Sequence, residues 1–314
     1  MRKKLNYIAE ICQNHKGKIK NVEKMIHDCA EAGANIVKMQ YIFSKNLSFR
    51  PEFENGLKIK NKVYAIKRPF KTEHDRLRKL ELPNKECEKF EKICEKNEVS
   101  SSITCFAREH IPTLKNLGFK IIKVASYDCG SHSMISEISD KFNNIVVSTG
   151  ASYDEEIQLT AKILKKRKKN FTLLHCVTLY PTPLNELHLS RLKFLKNNSK
   201  NIGYSDHTSS LGKYKHLASM YAVYYGAETL ERHIRIFDPD KTKDGPVSIL
   251  PKEIKEVISF SKMSKVDQKE FLKDKFRSKF EVLGRKNRSL TDQEILNRNY
   301  YRGRFCSFLK KTKF

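Results

Sequence analysis

Paired cysteine spacing is missing from this chain. Its 8 cysteines stand at 12, 29, 87, 94, 105, 129, 176 and 306, and no two of them form a C-x-x-C pair. Several sit inside apolar runs, as buried free thiols do. Cys105 and Cys176 are the candidates for a thiolate nucleophile, but nothing local marks either as activated. Also missing are a signal peptide and any long apolar span. The chain therefore reads as cytoplasmic and reduced, with no membrane-spanning segment. Acidic charge is short as well: Asp+Glu total 36 against 62 Lys+Arg, a net +26. Such an excess invites anionic partners, whether nucleic acid, an acidic membrane or phosphorylated and carboxylated substrates. The lysines are spread along the whole chain, however, so solvated faces account for most of the charge and nucleic-acid binding is not expected.

What is present describes a folded globular protein: 314 residues, 39% hydrophobic and 31% charged, enough for one large domain or two ordinary ones. Eight short apolar runs alternate with amphipathic segments. The expected strands are Tyr7–Ile11, Asn35–Ile42, Val99–Cys105, Lys120–Ala125, Asn144–Ser148, Phe171–Val177, Asn201–Ser205 and Thr229–Ile234. The expected helices are Ile19–Ala32, Asn84–Asn97, Arg108–Leu117, Ser133–Phe142, Tyr153–Lys168, Leu187–Asn197, Lys213–Tyr225 and Pro251–Met263. Near-continuous apolar strands between such helices predict a parallel sheet covered on its faces. Eight repeats fit an α/β fold of the closed (β/α)8 TIM-barrel type, with a doubly wound open sheet as the alternative.

A barrel places its chemistry at the C-terminal ends of the strands. Polar residues recur there: Glu10 at the end of the first strand, Lys38 and Gln40 on the second, Thr104 on the third, Lys123 and Ser126 at the fourth. Ser148-Thr149-Gly150 ends the fifth, His175-Cys176-Val177-Thr178 the sixth, Ser205-Asp206-His207 the seventh, and the eighth holds Glu231 and His233. Polar groups inside apolar strands are costly unless paired or used. The stretch from Gly203 to Pro246 sets His207 and His233 where two apolar runs end, with carboxylates at hand. That is half of a divalent-metal site with open positions, the plainer alternative being two unrelated loop histidines. Two lysines from different strands among hydroxyls make an anion site for phosphate or carboxylate.

Residues 43–83 form the longest connection without predicted structure, read either as an active-site lid or as plain surface, with Phe70–Glu81 partly helical. The basic run Lys165-Lys166-Arg167-Lys168-Lys169 closes a predicted helix and reads as a solvated face.

Taken in order, several motifs resemble the sialic acid synthase family. They are Ile8-Ala9-Glu10-Ile11 with Asn14-His15-x-Gly17, Ala32-Gly33-Ala34 before Val37-Lys38-Met39-Gln40, and Lys123-Val124-Ala125-Ser126. They continue through Ser148-Thr149-Gly150, His175-Cys176-Val177 with Tyr180-Pro181-Thr182-Pro183, Gly203-Tyr204-Ser205-Asp206-His207 and Glu231-Arg232-His233. The match runs from about residue 6 to about residue 290. Single pieces are unspecific; the ordered set is not.

The resemblance implies a cytoplasmic, homodimeric synthase. It would condense phosphoenolpyruvate with an N-acylated hexosamine, N-acetylmannosamine-like, to a nine-carbon 2-keto sugar acid of sialic, legionaminic or pseudaminic type. It places phosphoenolpyruvate among Lys38, Thr104, Lys123, Ser126, Thr178 and Ser205, and lines the reacting centre with Glu10, Gln40, Tyr180 and Glu231. It gives a divalent metal, Mn²⁺ with Mg²⁺ or Co²⁺ as substitutes, to His207 and His233. Departures from the family pattern are Thr178 where relatives often carry Asn, and Asp244 as the stand-in for an acceptor-sugar aspartate. Relatives commonly add an antifreeze-like domain that lends an arginine to the partner's sugar site. Here residues 1–281 read as the barrel domain and Val282–Phe314 as a linker-like extension in place of that domain, so the arginine is expected to be absent. A condensation with an aldose phosphate is disfavoured because no extra arginine cluster is visible. Two further readings stand beside the leading one: a non-catalytic sugar- or protein-binding relative, and a synthase needing a separate antifreeze-like chain.

Overall fold

Ile8, Val146 and Leu174 pack together inside a closed barrel of eight parallel strands. The computed structural model describes residues 4–276 and 281–307. Its strands are β1 (Asn6–Cys12), β2 (Ile36–Tyr41), a small hairpin β3 (Leu57–Ile59) and β4 (Lys62–Ala65), then β5 (Ser100–Cys105) and β6 (Ile121–Val124). β7 (Asn144–Ser148), β8 (Asn170–His175), β9 (Asn201–Asp206) and β10 (Thr229–His233) follow. The ring runs β1-β10-β9-β8-β7-β6-β5-β2, and β1 pairs with both β10 and β2, which rules out the open sheet. Every expected strand is present, with ends within two residues of the expectation.

The helices are α1 (Ile19–Glu31), α2 (Phe70–Arg78), α3 (Asn84–Lys96), α4 (Ile111–Asn116), α5 (His132–Lys141) and α6 (Asp154–Lys166). After them come α7 (Arg191–Asn198), α8 (Leu217–Tyr224), α9 (Ile254–Lys262), α10 (Lys265–Phe276) and α11 (Asp292–Tyr301). α1 shows why they cover the barrel: it buries Val22, Met25, Ile26 and Cys29, one stripe of a 3.6-residue period. α6 opens on three acidic residues and ends on Lys165 and Lys166, matching its dipole, and the basic run at its end is mostly exposed as expected. Seven of the cysteines are buried and Cys306 is exposed. Among the described residues no helix is long and apolar enough to cross a membrane.

Alternation along the strands carries the chain from packing to chemistry. Side chains two apart on a strand share a face. Ile8 on β1 is followed on that face by Glu10, Ile36 on β2 by Lys38 and Gln40, and Ile121 on β6 by Lys123. On β9 Gly203 is followed by Ser205, and on β10 Thr229 by Glu231 and then His233. The interior thus passes from an apolar layer to a polar one toward the strand C-termini. Gly203 has no room for a side chain: a Cβ there would lie 2.2 Å from the Thr229 carbonyl oxygen and 2.6 Å from Leu174 Cδ2.

Two segments differ from expectation. The connection 43–83 is structured, holding the β3–β4 hairpin and α2, which covers most of the stretch read as partly helical. The extension read as linker-like folds as α11. Its N-cap Thr291 accepts the Glu294 N–H at 3.3 Å and the Glu294 carboxylate accepts the Thr291 N–H at 3.1 Å. Arg288 donates to both oxygens of the buried Glu294 at 2.6 and 2.7 Å. The rest of that extension, residues 308–314, lies outside the described residues.

Candidate active site

Four charged side chains and two hydroxyls, from six strands, meet at the base of the pocket. Lys123 Nζ donates to both carboxylate oxygens of Glu231 at 2.8 Å, and Ser205 Oγ donates to the same carboxylate at 2.9 Å. Lys38 Nζ touches the Glu10 carboxylate, donates to Thr104 Oγ1 at 3.1 Å and stands 3.6 Å from Glu231. The strand register sets these meetings, since Glu10 is the partner of Lys38 on β2 and Thr104 the partner of Lys123 on β6. A bulge between Glu10 and Cys12, with Cys12 at φ 52°, lets the Cys12 N–H donate to Glu10 Oε1 at 2.7 Å and fixes that carboxylate. Burial would raise the Glu231 carboxyl, but Lys123 and Lys38 outweigh it and hold it well below the usual carboxylate range. Burial pulls the Lys38 ammonium down to about 7, with Glu231 opposing and Lys123 adding to the fall. Two ammoniums and two carboxylates sit in balance; an incoming anion competes with the carboxylates for the lysines.

Beside them stand the two histidines, ring centroids 5.3 Å apart. His207 Nδ1 faces the Val177 carbonyl oxygen at 3.2 Å and its Nε2 lies 3.3 Å from Ser205 Oγ. His233 Nδ1 is buried without a hydrogen-bond partner. Burial lowers both rings, His207 to about 4, so both are neutral imidazoles with a lone pair to give. An orphaned buried nitrogen and two neutral imidazoles fit a divalent metal. They supply only part of a shell, since among the described residues no group of three or more His, Cys, Asp or Glu is arranged to hold one. The Tyr180 ring packs on His207 at 4.4 Å.

These groups line a cavity of about 740 Å³ at the C-terminal ends of the strands. Of the residues expected in the site, Glu10, Lys38, Gln40, Thr104, Lys123, Ser126, Tyr180, Ser205, His207, Glu231, His233 and Asp244 all line it. Thr178 does not. β8 ends at His175, and the turn beyond it puts Thr178 behind the wall, fully buried, with its carbonyl oxygen accepting from Asn297 at 2.7 Å. His175 points away to the Leu187 carbonyl oxygen at 2.8 Å. Asp206 pairs with Arg232 and accepts from Ser219 at 2.6 Å, tying β9 and β10 to α8. Cys105 and Cys176 are buried thiols outside the cavity lining, and burial pushes both up, away from thiolate.

The outer wall holds what the sequence reading missed: Gln13, Arg68, Lys243, Gln293, Asn297, Tyr301 and Arg304. Glu73 on α2 gathers three cations. Arg76 donates to it at 2.7 and 2.9 Å, Lys243 lies at 3.5 Å, and Arg304 contacts the same carboxylate. Arg76 also donates to Gln13 at 2.6 Å, and Gln13 to Gln40 at 3.3 Å, so one chain of hydrogen bonds joins floor to roof. Asp244 accepts from Cys12 Sγ at 2.8 Å. Two arginines of this chain, Arg68 and Arg304, line the pocket itself.

Residues 25–270 match the family described as the NeuB family. The N,N'-diacetyllegionaminic acid synthase of Campylobacter jejuni is 33% identical over 262 residues, 81% of this chain and 74% of that protein. The human N-acetylneuraminate-9-phosphate synthase is 25% identical, over 80% of this chain and 67% of its own length. Among solved structures, the N-acetylneuraminic acid synthetase of Leptospira borgpetersenii in complex with citrate superposes with a TM-score of 0.69 at 26% identity, covering 94% of this chain and 90% of that one.

Proposed function

Because the chain belongs to the NeuB family, we propose that it condenses phosphoenolpyruvate with the open-chain aldehyde of an N-acylated hexosamine. The product is a nine-carbon 2-keto sugar acid, and phosphate is released. The observation that carries this reading is the pair of buried lysines, Lys38 and Lys123, set between Glu10 and Glu231 beside two neutral histidines.

Phosphoenolpyruvate brings a phosphate and a carboxylate to one small carbon frame. Lys38, Thr104, Lys123, Ser126 and Ser205 supply the ammonium and hydroxyl donors for both, at the inner end of the cavity. Thr178, behind the wall, is left out of this set. C3 of phosphoenolpyruvate forms the new bond to the aldehyde carbon, whose oxygen takes up a proton. Water adds at C2, the C2–O bond breaks, and phosphate departs with that oxygen. Displaced from Lys123 by the anion, Glu231 is free to accept the proton of the attacking water, and Glu10 orients water or sugar. Gln40 and Tyr180 hold the reactants in register, and Asp244 takes a hydroxyl of the sugar. His207 and His233 would hold the divalent metal, Mn²⁺ in the first instance; when bound, it polarises the aldehyde carbonyl. The protein acts in the cytoplasm as a homodimer.

The test is phosphate release from phosphoenolpyruvate with Mn²⁺ across a panel of N-acylated hexosamines, with His207→Ala as control. Sugar-dependent release that the control loses, with its fold intact by circular dichroism, is the expected result. A folded protein that binds no phosphoenolpyruvate would overturn the reading.

A further inference from the structure

Residues 288–307 run back across the mouth of the barrel and are tied down by their own chain. Arg298 donates to the Ala151 carbonyl oxygen and to Glu156, and its side chain is buried. The Tyr301 ring stacks on Tyr127 at 4.8 Å. The Ser48 N–H donates to the Arg304 carbonyl oxygen at 2.9 Å and the Cys306 N–H to that of Asn46 at 2.8 Å, zipping the segment to the 43–83 connection. The segment so held contributes to the lining of the cavity that Lys38 and Lys123 also line. It lines the cavity with the amides of Gln293 and Asn297, the Tyr301 ring and hydroxyl, and the Arg304 guanidinium.

Arg304 carries more donor capacity than its neighbours use. It is 6% exposed, it shares the single Glu73 carboxylate with Arg76 and Lys243, and its Nε–H is buried with no hydrogen-bond partner among the described residues. A buried, unmet guanidinium N–H beside a cavity is costly until an acceptor atom arrives. The crowding of cations has the same sense: burial pulls Lys243 down to about 8, with Arg76 and Arg304 adding to the fall against Glu73.

We propose that residues 288–307 complete the acceptor end of the active site in cis, so that each chain carries a whole site, and that Arg304 is the specificity-determining residue that grips the oxygen-rich far end of the sugar. The proposal rests on the condensation reading above. Arg304→Ala should raise the KM for the acceptor by about tenfold to a hundredfold and leave that for phosphoenolpyruvate within about twofold. Arg304→Lys should recover part of the loss.

Mixing decides between cis and trans. Arg304→Ala has an intact floor and a damaged roof; His207→Ala has the reverse. After subunit exchange, a site completed in cis gives the mixture the mean activity of its two parents. Activity above that mean, with an acceptor KM near the wild-type value, would show the roof acting across subunits and overturn the proposal. So would an Arg304→Ala variant whose acceptor KM is unchanged. A wild type silent on every acceptor would instead refute the condensation reading, and the cis roof would fall with it.

Discussion

Lys123 and Glu231 stand 108 residues apart in the chain, yet the ammonium of one donates to both oxygens of the other at 2.8 Å inside the barrel. With Lys38, Lys123 keeps Glu231 ionised in a place where burial would neutralise it. On the proposed reading the pairing is also a placeholder: the Glu231 oxygens that hold Lys123 would give way to the phosphate or carboxylate of the substrate. Ground-state order and catalytic readiness are here one arrangement.

Glu231→Gln removes the competing charge and keeps the shape. Phosphoenolpyruvate should bind more tightly to this variant, because Lys123 and Lys38 no longer answer to a carboxylate. Its kcat should fall by about 10²–10⁴, the usual loss when a general base is removed. Calorimetric titration with phosphoenolpyruvate and steady-state phosphate release check the two halves separately. Weaker binding would mean that Glu231 organises the anion site rather than competing with the anion.

Lys38 gives the reaction a pH dependence. Burial, with Glu231 opposing and Lys123 assisting, lowers its folded-state value from 10.5 to about 7. Below that value the group is the ammonium an anion needs; above it, an increasing share is the neutral amine. In the free enzyme, kcat/KM for phosphoenolpyruvate should therefore fall as pH rises from 7 to 9, by up to about tenfold per unit. The bound anion favours the ammonium, so kcat at saturation should fall less. A flat kcat/KM profile across that range would mean that Lys38 stays charged throughout.

How much of this was legible depends on what each part is made of. The strands were readable because a strand buried on both faces is an apolar run, and the floor because Glu10, Lys38, Lys123, Glu231 and His233 interrupt such runs at the end where a barrel puts its chemistry. The roof was not. α11 buries Glu294, Arg298 and Tyr300, a largely polar face with no apolar stripe to detect. Its one local signal is Thr291-x-x-Glu294, a capping box that can open a helix but cannot say where the helix packs. The Glu73 cluster is less visible still, for it joins residues 73, 76, 243 and 304, which only the tertiary fold brings together. Thr178, which the family resemblance put with the phosphoenolpyruvate ligands, lies outside the cavity lining because the chain turns after β8 ends at His175.

Glu73 makes the roof's attachment sensitive to acid. Burial would raise its carboxyl, but hydrogen bonds from Arg76 and the charges of Arg304, Lys243 and Arg76 prevail, lowering it from 4.5 to about 2. A carboxyl lowered by folding stabilises the folded state fully above its unfolded value and loses that contribution as pH falls toward its folded value. The window here is about 4.5 down to about 2. Glu73→Gln has no such proton to bind, so it should melt below the wild type by a constant margin at pH 6 to 8. The margin should narrow steadily below about pH 4.5. Hydrogen exchange should locate the loss at α2 and at residues 288–307 while the barrel strands stay protected. Thermal melts of both proteins from pH 3 to 8 test the sign directly. A margin that does not change with pH would show that Glu73 contributes through packing and neutral hydrogen bonds, and that the three cations around it hold the roof by other means.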